Sequence, residues 1–285
     1  MLGFGMNPDT QFLREALPSL AAWAAAFTPE ALPVLSSTLF ELEEWSLNED
    51  RADAHLLAEF IGRDPFMTVK LFAHLAKLRP GREDSIPETV TGCLLMLGIP
   101  PFFSSFNALH SLEDHLEAVP QALEGLGVVL NRSRRAADFA LGFAVHRMDH
   151  DAQLIHSAAL LHEFAEMLLW LKAPALALEI VQRQSADSQL RSSEAQRGVL
   201  NITLAQLQQE LMTRWHLPSG LTSLIDPESQ SSSVQARTVE LATRIARHTH
   251  KGWDNAAIPD DLKDISDFLQ IGLEPTRRLL IEIDS

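Results

Sequence analysis

The chain has 285 residues, 46% of them hydrophobic, and its 38 acidic against 23 basic side chains give a formal net charge of -15. That length and apolar share can bury one large core or two modest ones, which excludes a mainly disordered chain. The acidic excess argues against nucleic acid as a partner, because phosphate binding needs clustered cations. The lone cysteine, Cys93, rules out an intrachain disulfide and a thiolate metal cluster.

From the amino end, the apolar stretch Leu20 to Phe27 has only Arg14 as a basic residue before it, so the positive lead of a secretory signal is missing. The acidic run Glu41 to Trp45 reads as a solvated helix face, with a docking surface for a basic partner as the alternative. A helix is expected over about Ala52 to Gly62, where Leu56, Leu57, Phe60 and Ile61 form one stripe and Gly62 suits the end. Asp64 is the N-cap of the next helix, with Pro65 at its first position. Phe66, Val69, Phe72, Leu75 and Ala76 supply its buried face.

Pro87 opens a helix to Gly98, and Pro100 starts another. Together Thr89 to Phe106 make the stretch most like a membrane span, but Pro100 and Pro101 cut it at about half of the ~20 residues a spanning helix needs. Two buried helices meeting at a turn are expected instead. Cys93 sits there with no basic neighbour, as a buried and inert thiol. A long helix follows over Gln121 to Met148, its start loosened by Gly125 and Gly127. Asp151 then caps a strongly apolar helix, Ala152 to Trp170.

Further helices are expected over Pro174 to Gln184, Ser192 to Val199, Thr203 to Trp215, a short one after Pro218, Val234 to His248 and Asp260 to Leu269. Glu228 to Gln235 reads as an exposed linker. No sustained period-two alternation occurs, so the fold class is all-α. Charge rises near His110 to Val119 and Pro120 interrupts, which divides the chain into an amino-terminal lobe, 1–112, and a carboxy-terminal lobe, 113–285.

The chemistry concentrates in Leu154 to Leu171. His162 and Glu163 lie there among Leu160, Leu161, Phe164, Met167 and Leu168, inside the expected helix. A buried histidine beside a carboxylate is costly unless a metal, a ligand or an internal partner satisfies it. His156, seven residues before Glu163, would share its helix face. His146 and His150, with Asp149 or Asp151, read as a solvated helix end rather than a metal site, and His248 and His250 as surface residues. No phosphate-cradling glycine loop or nucleophile elbow is present.

The ordered segments IGRDPFMTVKLF, LLMLG, RSRRAADFALGFA, SAALLHEFAEMLLW, SSEAQRGVLNITLAQLQQELMTRWHLP and VELATRIA resemble the HDOD domain, over about Leu32 to Ala246. This family is a helical relative of the HD-superfamily metal phosphohydrolases, found in bacterial signalling proteins and regarded as non-catalytic. The resemblance implies a degenerate HD core in the carboxy-terminal lobe. Arg132 stands where the first metal-binding histidine would be, His162-Glu163 replaces the His-Asp pair, and Thr243 takes the place of the distant aspartate.

On that resemblance no catalytic residue, metal or cofactor is expected. Arg132 would replace the ion as the positive centre and pair with Glu163. The competing reading makes Arg132 and His162 an anion pocket, which Glu163 disfavours. The expected function is a cytoplasmic binding or scaffold protein in signal transduction, with protein partners in two-component or cyclic-dinucleotide systems and neither nucleic acid nor membrane. The alternative is a divergent HD hydrolase of nucleotides or cyclic dinucleotides using His162, Glu163 and His156; the Gly-Tyr-Pro signature of the cyclic-dinucleotide branch is excluded, because the chain has no tyrosine.

Overall fold

Side-chain caps set seven of the helix starts among the described residues. The computed structural model describes residues 12–47, 52–81, 85–187, 189–226 and 233–285. Helix α1 (Leu20–Ala25) starts at Ser19 and is followed by α2 (Ser36–Ser46), α3 (Ala54–Ile61) and α4 (Pro65–Leu78). Asp64 is wholly buried: Oδ1 accepts the N–H groups of Phe66 at 2.8 Å and Met67 at 3.1 Å, and Oδ2 accepts that of Leu35 at 2.9 Å. One carboxylate thus caps α4 and anchors the entry to α2. Lys70, buried on α4, donates to the carbonyls of Pro29, Glu30 and Leu32, and burial brings its amine down to about 8.

Helices α5 (Val90–Leu97) and α6 (Ile99–Ser105) meet at Gly98, whose φ of +84° favours glycine. Cys93 is fully buried on α5, its thiol donating to the Pro87 carbonyl, and burial pushes it up to about 12. After α7 (Leu112–Leu116), α8 (Pro120–His146) runs unbroken through Gly125 and Gly127. The expected loosening is absent because Gly125 is the seat of a side chain from another helix: a Cβ there would lie 2.4 Å from the Trp170 ring. Gly127 meets nothing within 4 Å.

The second half contains α9 (Ala152–Leu161), α10 (Phe164–Lys172), α11 (Pro174–Ala186), α12 (Ser192–Leu200), α13 (Leu204–Arg214) and α14 (Ser219–Ile225). It ends with α15 (Val234–His248), α16 (Ile258–Leu269) and α17 (Leu273–Ile283). Thr203 and Gln206 form a reciprocal capping box at α13. Two expectations fail. Ala152 to Trp170 is broken after Leu161, and Asp151 precedes α9 without a side-chain capping bond. The expected linker over Glu228 to Gln235 falls for the most part outside the described residues.

Helix α8 is the axis, flanked along its length by α9 and α15. Arg135 grips the far end of the chain, pairing with Asp284 and donating to Thr249 Oγ1 at 2.7 Å, while Ile283 packs on Gly142. Contacts also cross the residue 112/113 division: Leu13 N–H donates to the Lys172 carbonyl at 2.7 Å and the Trp23 indole to that of Leu200 at 3.0 Å. One hydrophobic core includes side chains from both halves, among them the touching rings of Phe66 and Phe164. Among the described residues the sole β-type pairing is a bridge between Val34 and Ser111. The fold is all-α.

The segment Ala152–Lys172 is long and apolar enough to cross a bilayer by length and composition, and most of it is buried inside the protein. Its apolar character is therefore spent on the core.

Candidate functional site

The break between α9 and α10 creates the site. In an uninterrupted helix Ala165 N–H would donate to Leu161 C=O. Here the side-chain amide of Gln208, buried on α13, is inserted between them. Its oxygen accepts Ala165 N–H at 2.7 Å and its nitrogen donates to Leu161 C=O at 2.6 Å. Both groups freed by the break are thereby satisfied, so the joint carries no orphaned backbone at that point.

The joint consists of His162 and Glu163, which are not inside a helix as expected from the apolar periodicity. Glu163 has φ −111° and ψ 24° and stands at the N-cap position of α10, with Glu166 in its first turn. Carboxylates at this end are favoured by the partial positive charge of the helix start. Arg132 projects from α8, where its Nε pairs with Glu163 Oε2 and its Nη2 lies 2.8 Å from Glu166 Oε2. Arg247 projects from α15, with Nη2 2.9 Å from Glu163 Oε1. The order Glu166–Arg132–Glu163–Arg247 forms a chain of alternating charge that ties three helices together.

Burial would raise the Glu163 carboxyl, but Arg132 and Arg247 outweigh it and hold the group below the usual carboxylate range. Glu166 is shifted up, by burial first and by the neighbouring Glu163 as well, against the pull of Arg132. The His162 imidazole is held down by burial and by the two arginines, although Glu163 opposes them. It is therefore neutral at physiological pH.

The other expected site residues lie elsewhere. Thr243 spends its hydroxyl on its own helix, donating to the carbonyls of Val239 and Glu240. Arg247, one turn further along α15, supplies the side chain that reaches Glu163. His156 does not join Glu163, because the seven-residue spacing spans the break. It lines a separate groove with Phe60, Arg63 and Asp138, where burial lowers its imidazole to about 4. His248 is not a free surface residue: its Nδ1 lies 2.5 Å from the buried Asp261, which Arg244 also pairs at 2.8 Å.

Sequence reasoning missed Glu166, Arg247 and Gln208. Glu166 follows Glu163 by three residues and Arg247 follows Thr243 by four, spacings that place each pair on one helix face. Those spacings were the available signal. Gln208 had none, since it acts on groups more than 40 residues away.

The donor set does not fit a divalent cation. Two guanidiniums lie within hydrogen-bonding distance of the joint's carboxylates, Glu163 and Glu166, and both oxygens of Glu163 are already paired. Among the described residues no group of three or more His, Cys, Asp or Glu side chains converges on a common metal position. Beside the ion chain lies a cavity of about 360 Å³ between α10, α11, α12 and α13. Its apolar wall includes Leu169, Trp170, Ile180, Val181, Leu204 and Ile225.

The sequence model of the HDOD domain matches residues 32–231. No curated protein matches the chain in sequence. Among solved structures, the MmoQ response regulator from Methylococcus capsulatus str. Bath is similar with 17% identity over 87% of this chain and 97% of its own, at a TM-score of 0.64. A virulence factor from Campylobacter jejuni subsp. jejuni is similar with 16% identity over 93% of this chain and 97% of its own, at a TM-score of 0.66. At such identities the likeness is one of fold. Because the family match covers well over half of the sequence, the chain belongs to the HDOD domain family.

Proposed function

We propose that this protein is a non-catalytic HDOD module, acting by binding proteins in a cytoplasmic bacterial signalling pathway. The observation that supports it is Arg132. A permanent cation stands between Glu163 and Glu166, where it neutralises the carboxylates that metal chemistry would need and repels an incoming cation. His162 beside it is neutral and deeply set, but one imidazole with no free carboxylate does not assemble the three protein ligands typical of a catalytic centre.

A role in signalling is supported by the family and by the fold shared with a response regulator. The chain itself then contributes shape: α8, α10 and α15 are fastened by the ion chain into one fixed arrangement on which a protein partner can dock. The net charge of -15 favours a partner with a basic surface over nucleic acid or an anionic membrane.

The test is turnover. The full chain, incubated with Mg²⁺, Mn²⁺, Fe²⁺ or Zn²⁺, is expected to hydrolyse neither bis-p-nitrophenyl phosphate nor cyclic di-GMP above the rate of a His162→Ala variant. Metal-dependent turnover lost in that variant would establish the divergent-hydrolase alternative instead.

A further inference from the structure

The groove lined by His156 runs between the amino-terminal helices and the α8–α9 pair. It consists of two adjoining cavities of about 610 and 410 Å³, which share Glu41, Phe60, Gly62, Arg63, Asp138 and His156. Each has the size of a small-molecule site, typically about 300–1,000 Å³. Its titratable side chains come from separate helices: Glu41 from α2, Glu59 from α3, Asp138 from α8 and His156 from α9.

The polar lining is unspent. The side chains of Glu41, Glu59, Asp138 and Arg63 form no ion pair or hydrogen bond among the described residues, and Arg134 uses only its Nε, which donates to the Arg63 carbonyl at 3.0 Å. Three carboxylates and two guanidiniums thus share one groove without closing on each other, with one negative charge in excess. His156 is sunk among them. Lowered to about 4 by burial first and then by Arg63, its imidazole is neutral and offers one donor and one acceptor. Neither ring nitrogen has a partner among the described residues, and neither is sealed from solvent, so a molecule in the groove can reach them. Asp138, pushed up by burial against the pull of Arg63 and Arg134, also lacks a donor.

The mixture of signs selects the ligand. A simple anion would meet three carboxylates, and a simple amine would meet two guanidiniums. A molecule with two positive groups and one negative satisfies both signs and cancels the excess. Leu56, Phe60 and Leu141 add an apolar wall along which a short methylene stem can lie.

From this juxtaposition we infer that the groove binds a basic amino acid. Its carboxylate pairs with Arg63, one ammonium is held by Asp138 and the His156 ring, and the other by Glu41 and Glu59. Because α2 and α3 belong to the amino-terminal half and α8 and α9 to the other, the bound ligand ties the two halves together, at a place that shares no lining residue with the cavity beside the ion chain.

The probe is L-lysine, titrated calorimetrically into the full chain at pH 7.5. Saturable one-to-one binding is expected. Cadaverine, which lacks the carboxylate, and 6-aminohexanoate, which lacks the α-ammonium, should each bind roughly tenfold more weakly or worse. His156→Leu should weaken L-lysine by about tenfold, the effect of one buried hydrogen bond. Arg63→Met should weaken L-lysine likewise and leave cadaverine no weaker, a split that general unfolding cannot produce. Glu43→Gln, on α2 but outside this groove, should change nothing. No saturable binding, cadaverine binding as tightly as L-lysine, or L-lysine binding that His156→Leu and Arg63→Met leave unaltered overturns the assignment. So does a loss in Glu43→Gln equal to that in the groove variants, which would mark a general attraction to the acidic surface.

Discussion

Replacing Arg132 by Met keeps most of the apolar stem and removes the charge that joins Glu163 to Glu166. Glu163 then relies on Arg247 alone, and Glu166 loses its ion-pair partner at the site. Removing one member of a buried ion pair costs about 3–5 kcal/mol, because the partner charge is left in a poor solvent. The Glu166 side chain is 31% exposed and can hydrate, whereas Glu163 at 12% cannot readily do so. The expected loss at pH 7.5 is therefore about 2–4 kcal/mol.

The pH dependence follows from the two carboxyls. Glu163 in the folded protein is held below its unfolded value, so it adds stability above the carboxylate range, and that contribution is lost as pH falls through its folded value. Glu166 is raised, so its ionisation costs stability as pH climbs above its unfolded value. Without Arg132 both carboxylates become costly when charged, and protonation relieves them. The penalty of Arg132→Met should therefore shrink steadily from pH 7.5 to pH 5. Urea unfolding followed by circular dichroism measures it at each pH. Adding Glu163→Gln and Glu166→Gln to the variant should recover most of the loss. A penalty under about 0.5 kcal/mol at pH 7.5, or one that does not change with pH, would refute the assignment of Arg132 as the charge that holds the site together.

The two glycines near the start of α8 should respond in opposite directions. Gly125→Ala drives a methyl into the Trp170 ring and should cost about 1–3 kcal/mol in urea unfolding, while Gly127→Ala should gain roughly 0.5–1 kcal/mol. Gln208→Leu strips the partners from Ala165 N–H and Leu161 C=O, so it should lower stability by about 1–3 kcal/mol and speed amide hydrogen exchange at Ala165; unchanged exchange would mean that the helix had simply closed over the joint. Cys93, with its thiol pushed up to about 12, should resist Ellman's reagent at pH 8 in the native protein and react once urea unfolds it.

Helices whose boundaries depend on nearby chemistry were readable from sequence. Asp64 and Pro65 mark the start of α4, and Val234 to His248 coincides with α15, because caps and periodicity act within a few residues. The break at His162–Glu163 was hidden. The surrounding residues are almost all apolar, and the group that stabilises the break, Gln208, comes from a distant helix. The pairing of Arg132 with Glu163 was foreseen through the family resemblance, but Arg247 was not, since Thr243 drew attention one turn too early. His156 illustrates the same limit: a spacing argument holds only while the helix continues.

The central claim is that a guanidinium has taken the position of a metal ion. Titration of the full chain with Mn²⁺, followed by the electron paramagnetic resonance signal of the free ion, tests it most directly. No binding equivalent should appear at micromolar to submillimolar Mn²⁺, in either the native protein or a His162→Ala variant. One tightly bound Mn²⁺ per chain that His162→Ala abolishes would contradict the account.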